Sequence, residues 1–125
     1  MSSDDTKAQQ GLFALPGVIS VSAPALEMAR KFDKHVKSTR SGDEWVIAFD
    51  WATSRGIRRR VDGPMEELGP GLDLVAFKRS DLPDEAVQHV EDVTFVIKIP
   101  GQVYEASSQR LIDVDEKAFS NLVLR

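Results

Sequence analysis

Glu44 to Ala52 is the stretch that most limits how this chain folds. Its side chains alternate, with Trp45, Ile47, Phe49 and Trp51 on one face and Val46, Ala48 and Asp50 on the other. A period of two is the pattern of a half-buried β-strand. Two tryptophans, an isoleucine and a phenylalanine on one face require a large apolar surface opposite them. The chain of 125 residues is long enough to supply one without staples, and it contains no cysteine that could provide them. Hydrophobic content of 42% and charged content of 29% are those of a globular domain.

The flanking segments supply candidate partners for that strand. Residues 1–16 are polar and then briefly apolar, and read as a flexible arm in which Leu12 and Phe13 dock on the core. Residues 17–125 read as one domain. Val18 to Val21 is a short strand, and Ser22 an N-cap with Pro24 in the first helical turn. Ala25, Met28, Ala29, Phe32 and Val36 repeat at helical spacing, so an amphipathic helix runs to about Thr39 and breaks at Ser41-Gly42-Asp43.

Beyond the long strand, Ile57 to Val61, Leu72 to Arg79, Thr94 to Ile99, Arg110 to Asp115 and Leu122 to Leu124 read as further strands. Asp62-Gly63-Pro64 and Gly69-Pro70-Gly71 are turn signals around a short acidic segment. Pro83 opens a helical turn or two over Leu82 to Val87. One helix followed by about five to seven short strands makes an α+β, mostly β domain.

Several chemistries are excluded by residue type. Without cysteine there are no thiolate nucleophiles and no cysteine-bound zinc or iron–sulfur centres. His35 and His89 lie far apart and have no acidic ligand at metal-site spacing. The carboxylates Glu66, Glu67, Asp81, Asp84, Glu85, Glu91, Asp92, Asp113, Asp115 and Glu116 form no calcium-loop pattern and read as a solvated acidic surface. Ser54 has no identifiable base, and no phosphate loop or nucleophile elbow occurs, so the chain is not read as an enzyme. No metal or cofactor is expected. A net charge of −4 disfavours nucleic acid and anionic membranes as partners. The first residues carry no secretory signal and no apolar run spans a bilayer, which points to a cytoplasmic protein.

Two stretches carry a family likeness. Val18 to Leu26 resembles the opening of HesB-like domains, the A-type iron–sulfur carrier family, with a short strand, a serine cap and an amphipathic helix. Val96 to Glu105 followed by Arg110 to Val114 resembles that family's second half. The resemblance spans roughly residues 18–115 and implies coiled short β-sheets with a barrel-like part.

In that family three cysteines bind iron or a cluster, one in a Gly-Cys-Ser-Gly turn and two in a C-terminal Cys-Gly-Cys. Here the turn is Thr53-Ser54-Arg55-Gly56, so Ser54 stands at a vacated ligand position, and residues 116–125 end in an apolar run. A serine hydroxyl, hard and of high pKa, is a poor ligand for soft iron. The resemblance therefore implies the fold without the chemistry, in a cluster-free interaction or regulatory module linked to iron–sulfur biogenesis by descent only.

The sharpest positive feature is Arg55-Gly56-Ile57-Arg58-Arg59-Arg60. One reading is an edge strand that its charges keep from aggregating. Another is a phosphate or small-anion site using Arg55, Arg58 and Arg60, whose forks suit phosphate. With Trp51 and Ser54 these residues mark the expected contact surface, for a protein partner or for self-association. The chain is expected to purify colourless, with no iron or acid-labile sulfide after anaerobic reconstitution. A stoichiometric brown cluster, seen by absorbance and iron analysis, would contradict it.

Overall fold

The computed structural model describes residues 12–118 and 120–125. Its elements in chain order are β1 (Ser20–Val21), α1 (Ala23–Thr39), β2 (Trp45–Ala52), β3 (Gly56–Arg58), β4 (Met65–Glu67), β5 (Gly71–Lys78), β6 (Gln88–Val90), β7 (Val93–Lys98), α2 (Gly101–Ser107), β8 (Leu111–Val114) and β9 (Leu122–Leu124). The class is mixed α+β. The strands fall into three sheets, ordered β5-β2-β7-β6, β1-β8-β9 and β3-β4. Among the described residues none of these closes, so the barrel-like part is not present as a closed barrel. No helix among them is long and apolar enough to cross a membrane.

β2 lies inside the largest sheet. It pairs antiparallel with β5, Trp45 opposite Lys78 through Ala52 opposite Gly71, and parallel with β7, Ile47 beside Phe95 through Asp50 beside Lys98. The expected alternation holds, but both faces are covered. Ile47 and Phe49 join the main core with Phe95, Ile97, Leu72 and the helix residues Ala25, Leu26, Ala29 and Val36. Val46 and Ala48 join a second cluster with Val96, Phe13, Leu82 and Ala86. Trp45 and Trp51 are half-buried against the main core, with the Arg40 guanidinium 4.5 Å from the centre of the Trp45 ring.

The Ser22 cap forms as expected: its side chain accepts from Ala25 N at 3.2 Å, and the helix ends at Thr39. A hydrogen bond from the same hydroxyl is the leading cause that holds the Asp113 carboxyl below its ordinary range, so the helix start is tied to β8. At the other side of the helix, Arg30 reaches Glu91 at 2.6 Å and Asp92 at 2.8 Å on the β6–β7 turn.

Several elements differ from the expectation. The strand of Ile57 to Val61 stops at Arg58, because Gly63 N donates to Arg60 O at 3.1 Å and turns the chain back. The acidic segment expected between turns is itself strand β4, paired with β3. Pro100-Gly101 opens the short helix α2, an element not expected from the sequence, and Ser108, at φ 59°, ends it in the left-handed conformation. The turn around Pro83 forms as two 3₁₀ turns, Arg79–Asp81 and Asp84–Ala86, and His89 lies in β6. Of the expected arm, residues 1–11 lie outside the described residues. Phe13 is buried, Leu12 is exposed, and Ala14 N donates to Ile97 O at 2.9 Å.

Phe49 and Phe95, both fully buried, meet edge to face with centroids 5.5 Å apart. Phe49→Ala is expected to lower the unfolding free energy by about 3–5 kcal/mol through lost transfer energy and a residual cavity. Val61→Ala, at a 94% exposed position, should change it by less than about 0.5 kcal/mol. Urea unfolding followed by tryptophan fluorescence compares the two.

Candidate functional site

At Ala52 the long strand leaves the sheet, and the chain returns to it only at Gly71. Between them β3 and β4 form a separate ribbon, with Gly56 opposite Glu67, Ile57 opposite Glu66 and Arg58 opposite Met65. From Arg58 to Glu67 every residue except Gly63 is exposed. A lone two-stranded ribbon is marginal in water, so its position depends on how its root is held.

Arg55 holds the root. Its Nε donates to Gly69 O at 3.2 Å and its Nη2 to Pro70 O at 3.3 Å, while Nη1 lies 3.8 Å from Asp73 Oδ1. Its own carbonyl accepts from Leu68 N at 2.8 Å. A Cβ at Gly71 would fall 2.4 Å from Arg55 Nη2, so the absence of a side chain there lets the guanidinium lie against the backbone. Gly71 was legible as a turn signal; its service to Arg55 depends on a contact sixteen positions away and carries no local mark.

Asp73 continues a row of charge across the sheet. It sits directly opposite Asp50, and Asp50 lies beside Lys98, whose Nζ is 4.0 Å from Asp50 Oδ1. Burial raises the pKa of the Asp50 carboxyl, with the Asp73 charge adding and Lys98 opposing. The row therefore alternates cation, two carboxylates, cation from Arg55 to Lys98.

The arginine run is thus divided. Arg55 is drawn into the root, and Arg59 Nε meets Glu66 Oε2 at 2.8 Å on the ribbon face that also carries Ile57. Arg58 shares the other face with Met65, whose Sδ lies against Gly56. Arg58 and Arg60 are exposed and have no ion pair among the described residues. Ser54, at the vacated ligand position, is exposed and donates to Glu67 Oε1 at 3.3 Å. Trp51 is placed beside the ribbon's root in β2 but faces the main core. Arg55 is thus held at the root of the ribbon, and Arg58 and Arg60 lie on its exposed part.

Val61 and Met65, 94% and 60% exposed, put apolar surface at the ribbon's end between the arginines. Val61 lies past the end of β3, although the expected strand reaches it, and Met65 stands in the acidic segment with no local pattern to mark it. Elsewhere, a shallow cleft of about 330 Å³ is lined by Asp43, Glu44, Lys78, Arg79 and Ser80, none of them in the ribbon. Among the described residues no group of three or more histidines and carboxylates is placed to hold a metal ion. His35 lies on α1, and His89 Nδ1 is 2.9 Å from Thr94 Oγ1. No family model, curated protein or solved structure matches this chain.

The root is testable without a partner. Arg55→Ala removes two donors to the Gly69 and Pro70 carbonyls, about 1–2 kcal/mol of local stability. Amide exchange across β3, β4 and Leu68 should accelerate about 5- to 30-fold, while the main sheet keeps its protection. Arg55→Lys should not restore it, because an ammonium lacks the planar fork that spans both carbonyls. Unchanged exchange in Arg55→Ala would show that the ribbon is held otherwise.

Proposed function

We propose that this chain is a non-catalytic interaction module and that the β3–β4 ribbon is its contact element. The observation that carries the reading is the ribbon's far end, where Val61 and Met65 are exposed beside Arg58 and Arg60. The cost of ordering such a ribbon is not recovered by any core it helps to bury. Apolar side chains rimmed by cations suit a protein surface with an apolar patch and acidic neighbours.

With this reading goes descent from HesB-like domains, supported by the capped helix after a short strand and by the turn at Ser54 after the long one. Loss of all three ligand positions would leave the scaffold available for contacts alone, in the cytoplasm. The second reading, a small-anion site on Arg55, Arg58 and Arg60, has less support. Arg55 already serves Gly69, Pro70 and Asp73, and the other two lie on an exposed ribbon.

A benzophenone side chain placed at position 61 or 65 in cells, and at position 34 on the exposed side of α1 as control, tests the reading. The expected result is a discrete cross-linked protein from the two ribbon positions only, reduced at least about fivefold by Arg58→Glu with Arg60→Glu. The same pattern from all three positions would overturn it. Thermal stabilisation by polyphosphate that Arg58→Ala and Arg60→Ala abolish, without any ribbon cross-link, would establish the anion reading instead.

A further inference from the structure

The main sheet has an edge, unpaired among the described residues, that the ribbon reading does not use. β5 is its outer strand, eight residues long and in unbroken register with β2, with no proline. Arg79 N donates to Glu44 O at 2.9 Å, which sets the alternation: the odd-numbered residues of β5 turn their backbone groups toward β2, and Leu72, Leu74, Ala76 and Lys78 turn theirs outward. The Ser120 hydroxyl closes one of these by bonding the Leu72 carbonyl. The outward N–H and C=O groups of Leu74, Ala76 and Lys78 have no partner among the described residues. Leu74 and Ala76 are half-buried, with β9 packed near β5, and Lys78 is exposed; among the described residues nothing bonds this edge from Leu74 onward. Proteins ordinarily blunt such an edge with proline, a bulge or inward charge. Here β5 carries Asp73 and Lys78 but no proline, and among the described residues the bond of Ser120 at Leu72 is the only one on its outer side.

We propose that this edge pairs with the same edge of a second copy of the chain, antiparallel about a two-fold axis at Ala76. A two-fold axis normal to the sheet keeps each face continuous, so residues of like parity must oppose one another. With the axis at Ala76, Ala76 faces its own copy and Leu74 faces Lys78, and every outward group from Leu74 to Lys78 is bonded. The central pair supplies two hydrogen bonds and each flanking pair two more. On the face of the second apolar cluster, Val75 then lies opposite Phe77, while Asp73 keeps Arg55 and Arg79 keeps Asp84 as their partners within each copy. Both Val75 and Phe77 already pack on that cluster, so it becomes continuous through the pair. An axis at Val75 is worse on two counts. It calls on the Leu72 carbonyl, which Ser120 already occupies, and it sets the Asp73 carboxylate against the Phe77 ring. The second cluster, made continuous through Val75 and Phe77 in the same register that bonds every outward group from Leu74 to Lys78, is what points to a second copy as the occupant.

The contact is small, so association is in the micromolar range. Sedimentation at roughly 100 μM should give about twice the chain mass of 13.9 kDa, and dilution should return it to the single-chain value. Ala76→Pro removes an outward donor and no bond to β2, so it should stay at 13.9 kDa throughout with its circular dichroism unchanged. On the unaltered chain, the Leu74, Ala76 and Lys78 amides should exchange at least about tenfold more slowly at the higher concentration than after dilution. That measurement decides the matter if Ala76→Pro fails to fold. A single-chain mass at every concentration, or a dimer whose three outward amides exchange at a concentration-independent rate, would overturn the proposal. The second result would place self-association elsewhere, with the ribbon as the surface to examine, and would leave the ribbon reading intact.

Discussion

The fold depends on the burial of β2 from four directions. β5 and β7 bond its two edges, and the two apolar clusters take Ile47 and Phe49 on one face and Val46 and Ala48 on the other. From Ile47 to Asp50 the strand is bonded on both edges, and there each neighbour must match its register or leave buried groups unpaired. Its parallel partner β7 is reached only after the ribbon, β5 and β6, so the pairing joins residues some fifty positions apart. The rest of the molecule covers what this sheet exposes: α1 lies on one face, and Phe13 and the 3₁₀ turns lie on the other.

Where β2 ends, the enclosure ends too. Past Ala52 the chain has no further core to bury and runs out as the ribbon. The transition is made by charge. Arg55 lies on the backbone of Gly69 and Pro70 because Gly71 has no side chain, and its guanidinium begins a row that passes through Asp73 and Asp50 to Lys98. Two carboxylates face each other in that row on a partly buried sheet. The raised pKa of Asp50 follows mainly from its burial. One arginine of the run is thereby committed to the scaffold, and Arg58 and Arg60 are left exposed at the far end.

Much of this was legible in order of residues. The alternation of Trp45 to Trp51, the Ser22 cap with Pro24, and the strands read over Thr94 to Ile99 and Leu122 to Leu124 are carried by patterns within a few positions of each other, the first of these two strands ending one residue earlier at Lys98. Other elements were not. The ladder of β4 is made of Met65, Glu66 and Glu67, which have weak strand propensity and pair only because the Arg60–Gly63 turn sets them opposite β3. Helix α2 starts on glycine and buries a single residue, Tyr104, so it has almost no periodic signal. In the candidate site, the arginine run was visible as a run, while the sorting of its members was not.

The sequence by itself determined the local conformations and the available chemistry. Hydrophobic period, caps and glycine turns act over one or two turns of chain, and a chain without cysteine has no thiolate to offer. Tertiary structure alone decided which surfaces face a core, which edge stays open and which arginines are spoken for. The physical reason is range. Whether Val46 is buried depends on Leu82 and Ala86, whether Arg55 is exposed depends on Gly69 to Asp73, and whether the edge of β5 is capped depends on Ser120. None of these partners is close enough in sequence for a pattern to record it.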